Sequence, residues 1–213
     1  MRYWAECRAF FGQFREQYYT TGSILPSSRA LGRALTRPMR LAKPPRRILE
    51  VGPGTGAVTA VIAANLKPGD TLDIVEINPK FAEVIERRFA EEPEFQRVRG
   101  QARVINAPLQ EVPGAAMYDF MISGVPLNNF SLALVDDIFR SYQRLLTPAG
   151  VLSYFEYLAI RDLKMPFVSE ADRQRLQSLS VYLEDRIRAH QIAADNVPFN
   201  VPPAVARHFR FGS

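Results

Sequence analysis

Nine residues, Ile48-Leu49-Glu50-Val51-Gly52-Pro53-Gly54-Thr55-Gly56, carry the strongest chemical signal in the chain. Three glycines at alternate positions let a backbone turn sharply and approach a ligand closely. A helix expected from Ala57 aims its free N–H groups at that turn. About 20 residues further on, Glu76 closes an expected strand, and an acid so placed binds a ribose diol. Two more stretches follow expected strands, Asn106-Ala107-Pro108 and Ser123-Gly124-Val125-Pro126-Leu127-Asn128. If all these strand ends meet, they enclose one cleft for a ribose-bearing cofactor.

The elements needed to bring them together are legible in order. Ile48, Leu49 and Val51 suit a strand covered on both faces. Helical periodicity runs over 57–66, 79–91, 136–146 and 171–189, and strands are expected at 71–77, 102–106, 118–123 and 151–157. Pro79 suits the first turn of its helix. The tail, Asn196 to Phe211, reads as a last antiparallel pair around Pro198 to Pro203. Alternating strands and helices predict an α/β fold, a mostly parallel seven-stranded sheet with helices on both faces and an antiparallel C-terminal strand. Ligands of such sheets bind beyond the strands' carboxyl ends.

Ahead of this core, Tyr3, Cys7, Phe10, Phe14 and Tyr18 recur at helical spacing, with Trp4 and Phe11 beside them and Arg2, Arg8 and Arg15 between. Aromatics among arginines suit a helix lying in a lipid interface, and equally a helix packed on its own domain. Ser27 or Ser28 caps a second helix over 29–39, and two hydroxyls with Arg29 at a helix start would also suit a phosphate. Three prolines and basic residues over 38–47 read as a linker, dividing an N-terminal segment, 1–45, from a cofactor-binding domain, 46–213.

With 213 residues, 47% hydrophobic and 23% charged, the chain reads as one ordinary globular domain. No apolar run reaches the roughly 18 residues of a membrane span. Arg2 is followed by no apolar core of a signal peptide, so a cytoplasmic location is expected. One cysteine and two histidines make a metal site unexpected. A net charge of +5 favours anionic partners, nucleic acid or an anionic membrane surface.

Gly52-x-Gly54-x-x-Ala57 fits the dinucleotide fingerprint, and Glu50-x-Gly52-x-Gly54-x-Gly56 resembles motif I of class I S-adenosylmethionine (SAM) methyltransferases. The full element order, with its terminal antiparallel pair, is similar to the second family over residues 46–211. More narrowly the chain resembles bacterial phospholipid N-methyltransferases and their ornithine-lipid-methylating relatives. The aromatic N-terminal helix, Thr21 through Arg29, the glycine motif, Ser123 through Leu127, and Asn200-Val201-Pro202-Pro203-Ala204 carry that resemblance. It implies SAM as cofactor, S-adenosylhomocysteine as product, and N-methylation of phosphatidylethanolamine, ornithine lipid or another aminolipid by a peripherally membrane-associated enzyme.

The implied cofactor contacts are Glu50, Gly52, Pro53, Gly54, Thr55, Gly56, Glu76, Ile77, Ala107, Pro108, Ser123 and Gly124. Many relatives carry an Asp for the adenine amine where this chain has Asn106-Ala107-Pro108, so backbone around Ala107 and packing by Leu109 are expected instead. Implied substrate contacts are Ser27, Ser28 and Arg29 for a headgroup phosphate, and Pro126, Leu127 and Asn128. An amine nucleophile must arrive neutral, and Tyr18, Tyr19, Glu156 and Tyr157 are the candidates to help it or to stabilise the ammonium that forms.

The competing family-level resemblance is to RNA adenine N6-methyltransferases. Those use an Asn/Asp-Pro-Pro-aromatic loop after the fourth strand to hold a flipped base. Ser123-Gly124-Val125-Pro126-Leu127 lacks the first residue, the second proline and the aromatic, so no nucleic acid partner is expected. A non-catalytic membrane-binding module is the third reading, and the intact Glu50, the glycines and Glu76 argue against it.

Overall fold

A computed structural model describes residues 28–158 and 170–212. The candidates Tyr18, Tyr19 and Ser27, and the expected helix over 3–18, lie outside the described residues.

A seven-stranded sheet is built from β1 (Arg47–Val51), β2 (Thr71–Val75), β3 (Ala102–Ile105), β4 (Tyr118–Ser123), β5 (Leu146–Tyr157), β6 (Gln191–Val197) and β7 (Ala204–Phe209) in the order β3-β2-β1-β4-β5-β7-β6. The first five strands run parallel, while β7 is antiparallel to both β5 and β6. The chain reverses its winding between β1 and β4, which is where such sheets open a crevice. Helices α1 (Arg29–Leu35), α2 (Arg37–Leu41), α3 (Ala57–Asn65), α4 (Pro79–Glu91), α5 (Pro93–Gln96), α6 (Leu132–Leu145) and α7 (Glu170–His190) cover the faces.

Side-chain alternation in β1 feeds two cores. Leu49 and Val51 join one with α6 and α7, and Ile48 joins the other with α1, α3 and α4. In α6, Leu134, Val135, Ile138, Phe139, Tyr142 and Leu145 are buried at helical spacing. That helix begins at Leu132, four residues earlier than its periodicity predicts, because Ser131 Oγ accepts from Leu134 N. Strand β5 likewise starts early: Tyr118 pairs with Leu146, and residues 147–150 bulge before Phe120 pairs with Val151. The expected second helix is two short ones, broken at Thr36. Leu31, Leu35 and Met39 are buried in the second core, so the described part of the N-terminal segment packs on the sheet domain itself.

One buried ion pair fastens the lower ends of these elements. Asp70 accepts from Arg46 N at 2.8 Å, from Arg46 Nη2 at 2.5 Å and from Lys67 N at 2.7 Å. The same guanidinium donates to Met39 O at 2.6 Å and Asn65 O at 2.9 Å. It therefore joins α2, the end of α3 and the starts of β1 and β2. At the sheet edge, Asp195 accepts from Arg37 Nε at 2.6 Å and lies 3.0 Å from His208 Nε2, whose Nδ1 lies 2.8 Å from Ser153 Oγ. Ser153 and His208 are sealed in the interior, so this chain of groups is a structural tie.

Removing one partner of a buried pair leaves the other charge uncompensated, a loss of about 3–5 kcal/mol. Asp70→Ala should lower unfolding free energy by about that amount in urea titration, far more than the exposed Asp185→Ala.

Candidate active site

The glycine turn leaves β1 with three residues in the left-handed region, Gly52 at φ 67°, Gly54 at 56° and Gly56 at 87°. Gly52 N donates to Val75 O at 2.9 Å and Gly124 N donates to Val51 O at 2.8 Å, which draws the ends of β2, β1 and β4 together. A Cβ at Gly124 would stand 2.5 Å from Gly52 O, so only glycine lets the two turns touch there. A Cβ at Gly54 would meet nothing within 4 Å. Gly54 faces open space, while its neighbours are packed.

Beside the turn lies a cleft of about 450 Å³, counting its open mouth. Gly52, Glu76 and Ile77 line one side, Ala107, Pro108 and Leu109 another, and Val125, Phe130 and Ile138 close it. The walls are apolar apart from Glu76 and Gln110. Such a slot takes a flat heterocycle, and the carboxylate at its edge takes hydroxyls. Glu76 accepts from Asn78 N at 2.8 Å and Gly54 N at 3.3 Å, and Asn106 Nδ2 donates to the Glu76 carbonyl at 2.7 Å. Burial pushes the Glu76 carboxyl up to about 7, against the N–H groups of Asn78, Gly54 and Ile77.

Glu50 is 1% exposed, and neither carboxyl oxygen has a hydrogen-bond partner among the described residues. Burial pushes its pKa to about 8; the nearby Glu76 carboxyl pushes it further up and the Arg88 guanidinium pulls it down. A buried, unsatisfied acid close to an open turn has spare capacity for a polar or cationic ligand. Arg88 supports the turn from behind, donating to Thr55 O and Gly56 O at 2.9 Å each while paired with Glu92. Among the described residues, no group of His, Cys, Asp and Glu is clustered for a metal ion.

Most of the sequence-predicted cofactor residues meet here. Pro53 and Thr55 shape the turn, with Pro53 O accepting from Gly56 N at 2.9 Å. Ser123 is buried beneath the cleft, 2.7 Å from Tyr142 OH. Several other candidates sit differently from expectation. Leu127 is 2% exposed and belongs to the core, because the short turn Leu127–Asn129 folds it inward. Pro126 opens that turn, and Asn128 O accepts from Arg175 at 3.3 Å. Glu156 is bound to Arg207 at 3.2 Å and accepts from Tyr154 OH at 3.0 Å, so its carboxylate is already engaged and is no free base. Tyr157 packs edge-on against Phe155. Ser28 Oγ accepts from Leu31 N at 3.1 Å as a helix cap, and Arg29 is exposed beside it. Val125 lies in the loop that the sequence places at the cleft, whereas Phe130, Ile138 and Arg88 are site residues that the sequence does not single out. The periodicity of 136–146 marks Ile138 as apolar face and gives no sign that this face reaches the cleft.

Residues 49–152 match the family described as a methyltransferase domain. The ornithine lipid N-methyltransferase of Singulisphaera acidiphila (strain ATCC BAA-1392 / DSM 18658 / VKM B-2454 / MOB10) is 33% identical over 144 residues, 68% of this chain and 74% of that protein. The chain belongs to the class I SAM-dependent methyltransferases. The methyltransferase also shares 27% identity over 184 residues with the ribosomal RNA small subunit methyltransferase A of Synechococcus sp. (strain JA-3-3Ab), 84% of this chain and 58% of that protein. Two solved structures share its fold. The 1,6-didemethyltoxoflavin-N1-methyltransferase of Burkholderia thailandensis, with bound 1,6-didemethyltoxoflavin and S-adenosylhomocysteine, superposes with TM-score 0.64 at 16% identity, over 100% of this chain and 90% of that one. The O-methyltransferase TomG of Streptomyces achromogenes, in complex with SAM, gives 0.59 at 20% identity over 86% and 79%.

Gly54→Val adds a branched side chain to open space, at a strain of about 1–2 kcal/mol for the left-handed backbone. It should fold and lose SAM binding in calorimetric titration. Glu50 and Glu76 titrate above their ordinary 4.5 when folded, so the folded chain binds more protons than the unfolded one between those values and about 8. Stability of the ligand-free enzyme should therefore fall as pH rises from about 5 to about 8. Melting temperatures of Glu50→Gln over that range should show a shallower fall.

Proposed function

We propose that this methyltransferase transfers a methyl group to the primary amine of a membrane aminolipid, phosphatidylethanolamine or ornithine lipid. The likeness to the ornithine lipid N-methyltransferase, over two thirds of the chain, carries the reading. The loop after β4 supports it. An exocyclic base amine needs an acceptor for its N–H and an aromatic surface. Here the loop offers Val125-Pro126, and Leu127 is turned into the core.

The residues present fit SAM. The open space at Gly54 admits a ligand chain, Glu76 stands at the slot edge for ribose hydroxyls, and the Ala107–Leu109, Val125, Phe130 and Ile138 walls suit adenine. The unpartnered Glu50 carboxyl lies on the side of the turn where the cofactor's amino end is proposed to rest. When bound, the cofactor supplies a methyl group on a positively charged sulfur.

The chain's own work is then alignment and exclusion of water. An amine attacks in line with the carbon–sulfur bond, and holding the two reactants in place removes much of the barrier. An alkylammonium has a pKa around 10, so the amine has to shed its proton on entering. An apolar mouth favours the neutral amine by desolvation. With Glu156 held by Arg207, that effect and the tyrosines Tyr18, Tyr19 and Tyr157 remain the proposed aids. Arg29, exposed at the cleft end of the sheet, is the proposed phosphate contact, with Ser28 and Ser27, its neighbours in sequence, as further candidates. Residues 1–45 would thus serve the substrate and 46–213 the cofactor.

Purified enzyme, radiolabelled SAM, and mixed micelles of phosphatidylethanolamine or ornithine lipid should give label in the lipid extract. Parallel reactions with small-subunit ribosomal RNA should stay unlabelled. Label in adenine, with none in lipid, would reverse the reading in favour of RNA.

A further inference from the structure

The turn joining β6 to β7, residues 198–203, shows its largest apolar side chains to solvent. Phe199 is 92% exposed and Val201 66%, while Asn200 between them is 4% exposed. Asn200 holds the turn from inside. Its Oδ1 accepts from Ser28 N at 3.2 Å, its Nδ2 donates to Pro202 O at 2.7 Å, and its backbone N donates to Val197 O at 3.2 Å. Leu158 N donates to Pro203 O at 2.8 Å, and the Leu158 side chain is 41% exposed on the same rim. A buried polar staple thus fixes the backbone and displays an apolar residue on either side. Leaving a phenylalanine almost wholly in water gains nothing for the fold.

The position of this turn matters. Because β7 runs antiparallel to β5, with Tyr157 opposite Ala204, the turn projects from the carboxyl end of the parallel strands, where the glycine turn and the cleft lie. The Ser28–Asn200 bond also ties it to the start of α1, where Arg29 and, one turn on, Arg33 are exposed.

We propose that the β6–β7 turn is a membrane-docking tip, in which Phe199 and Val201, with Leu158 beside them, enter the headgroup–acyl boundary of an anionic bilayer and set the cleft mouth against it. The lipid surface is taken from the aminolipid reading above. Shape and charge favour a bilayer over a protein partner. Three apolar side chains on a convex tip fall far short of the roughly 800 Å² per partner of a stable protein interface. A bilayer needs only a few inserted apolar groups with cations at headgroup level, which Arg29 and Arg33 supply.

The test uses the full chain and vesicles of phosphatidylglycerol and phosphatidylcholine, which carry no primary amine, so docking is read apart from substrate capture. Phe199→Asp with Val201→Asp should lower vesicle partition in co-sedimentation by about tenfold or more. SAM affinity, melting temperature and activity on aminolipid dispersed in detergent should stay unchanged. Phe199→Trp in a Trp4→Phe background should shift its emission to the blue on addition of vesicles, which decides the matter if the double variant fails to fold. Unchanged partition of a folded double variant, or no blue shift from the indole introduced by Phe199→Trp, would overturn the tip. So would a double variant that loses RNA binding while keeping vesicle binding. Vesicle docking through Phe199 by an enzyme that methylates only RNA would sustain the tip and strike the aminolipid reading.

Discussion

The contact of Gly124 with Gly52 governs the site. Two backbone turns, one leaving β1 and one leaving β4, meet where a Cβ at Gly124 would lie 2.5 Å from a carbonyl oxygen. The accompanying bonds, Gly124 N to Val51 O and Gly52 N to Val75 O, continue the sheet's ladder past the strand ends. Three strand ends are thereby held in one plane, and the turns must peel away from it in opposite directions. The crevice between them follows from backbone geometry, with side chains only finishing its walls. Any residue larger than glycine at 124 would wedge β4 from β1 and displace the loop that carries Val125 to Phe130.

The carboxyls fitted to that geometry work against the stability of the empty enzyme. Among the described residues Glu50 is buried with both oxygens unpartnered, and Glu76 is buried with backbone N–H groups alone to receive it. Leaving one buried polar group unsatisfied costs about 1–3 kcal/mol. The fold carries this because the surrounding cores, with Ile48, Leu49, Ile74 and Ile122 wholly or almost wholly buried, hold the strands in register regardless. A bound cofactor that brings hydroxyls and positive charge relieves the deficit, so the same groups that weaken the empty site favour occupancy.

Short-range chemistry made much of this legible. The alternate glycines, the Asn78-Pro79 start of α4 and the β4 strand, Tyr118–Ser123, all depend on neighbours in sequence and stand where the spacing puts them. What the sequence hid depends on partners far along the chain. Glu156 reads as a free acid until β7 folds back and sets Arg207 against it. Leu127 reads as a loop residue on the cleft wall until the turn after Pro126 directs it into the core. Arg88 carries no mark in the sequence, and its role at the glycine turn exists only because α4 packs against that turn. Residues 147–150, with a proline and a glycine, lie ahead of the strand expected at 151–157, yet the strand passes through them as a bulge because its pairing with β4 is present on both sides.

The division of labour within the fold explains why the cofactor is easier to read than the substrate. The proposed cofactor contacts come from the ends of β1, β2, β3 and β4, consecutive strands whose turns the sequence marks with Gly, Pro and Glu. Substrate selection is proposed to fall to the rim of the cleft mouth, assembled from distant pieces: the loop after β4, the end of β5 and the start of α1, with the β6–β7 turn standing outside it as a support. Ser28 and Asn200, far apart in the chain, are hydrogen-bonded there. A rim stapled in this way is rigid on the side of the antiparallel strands, and rigid apolar display suits a planar lipid surface better than a folded RNA, whose bases must be splayed and stacked one at a time. The loop after β4 supports the same proposal from the opposite side of the cleft: Leu127 is turned into the core, and Phe130, 2% exposed, walls the cofactor slot and is not displayed at the mouth to receive a base.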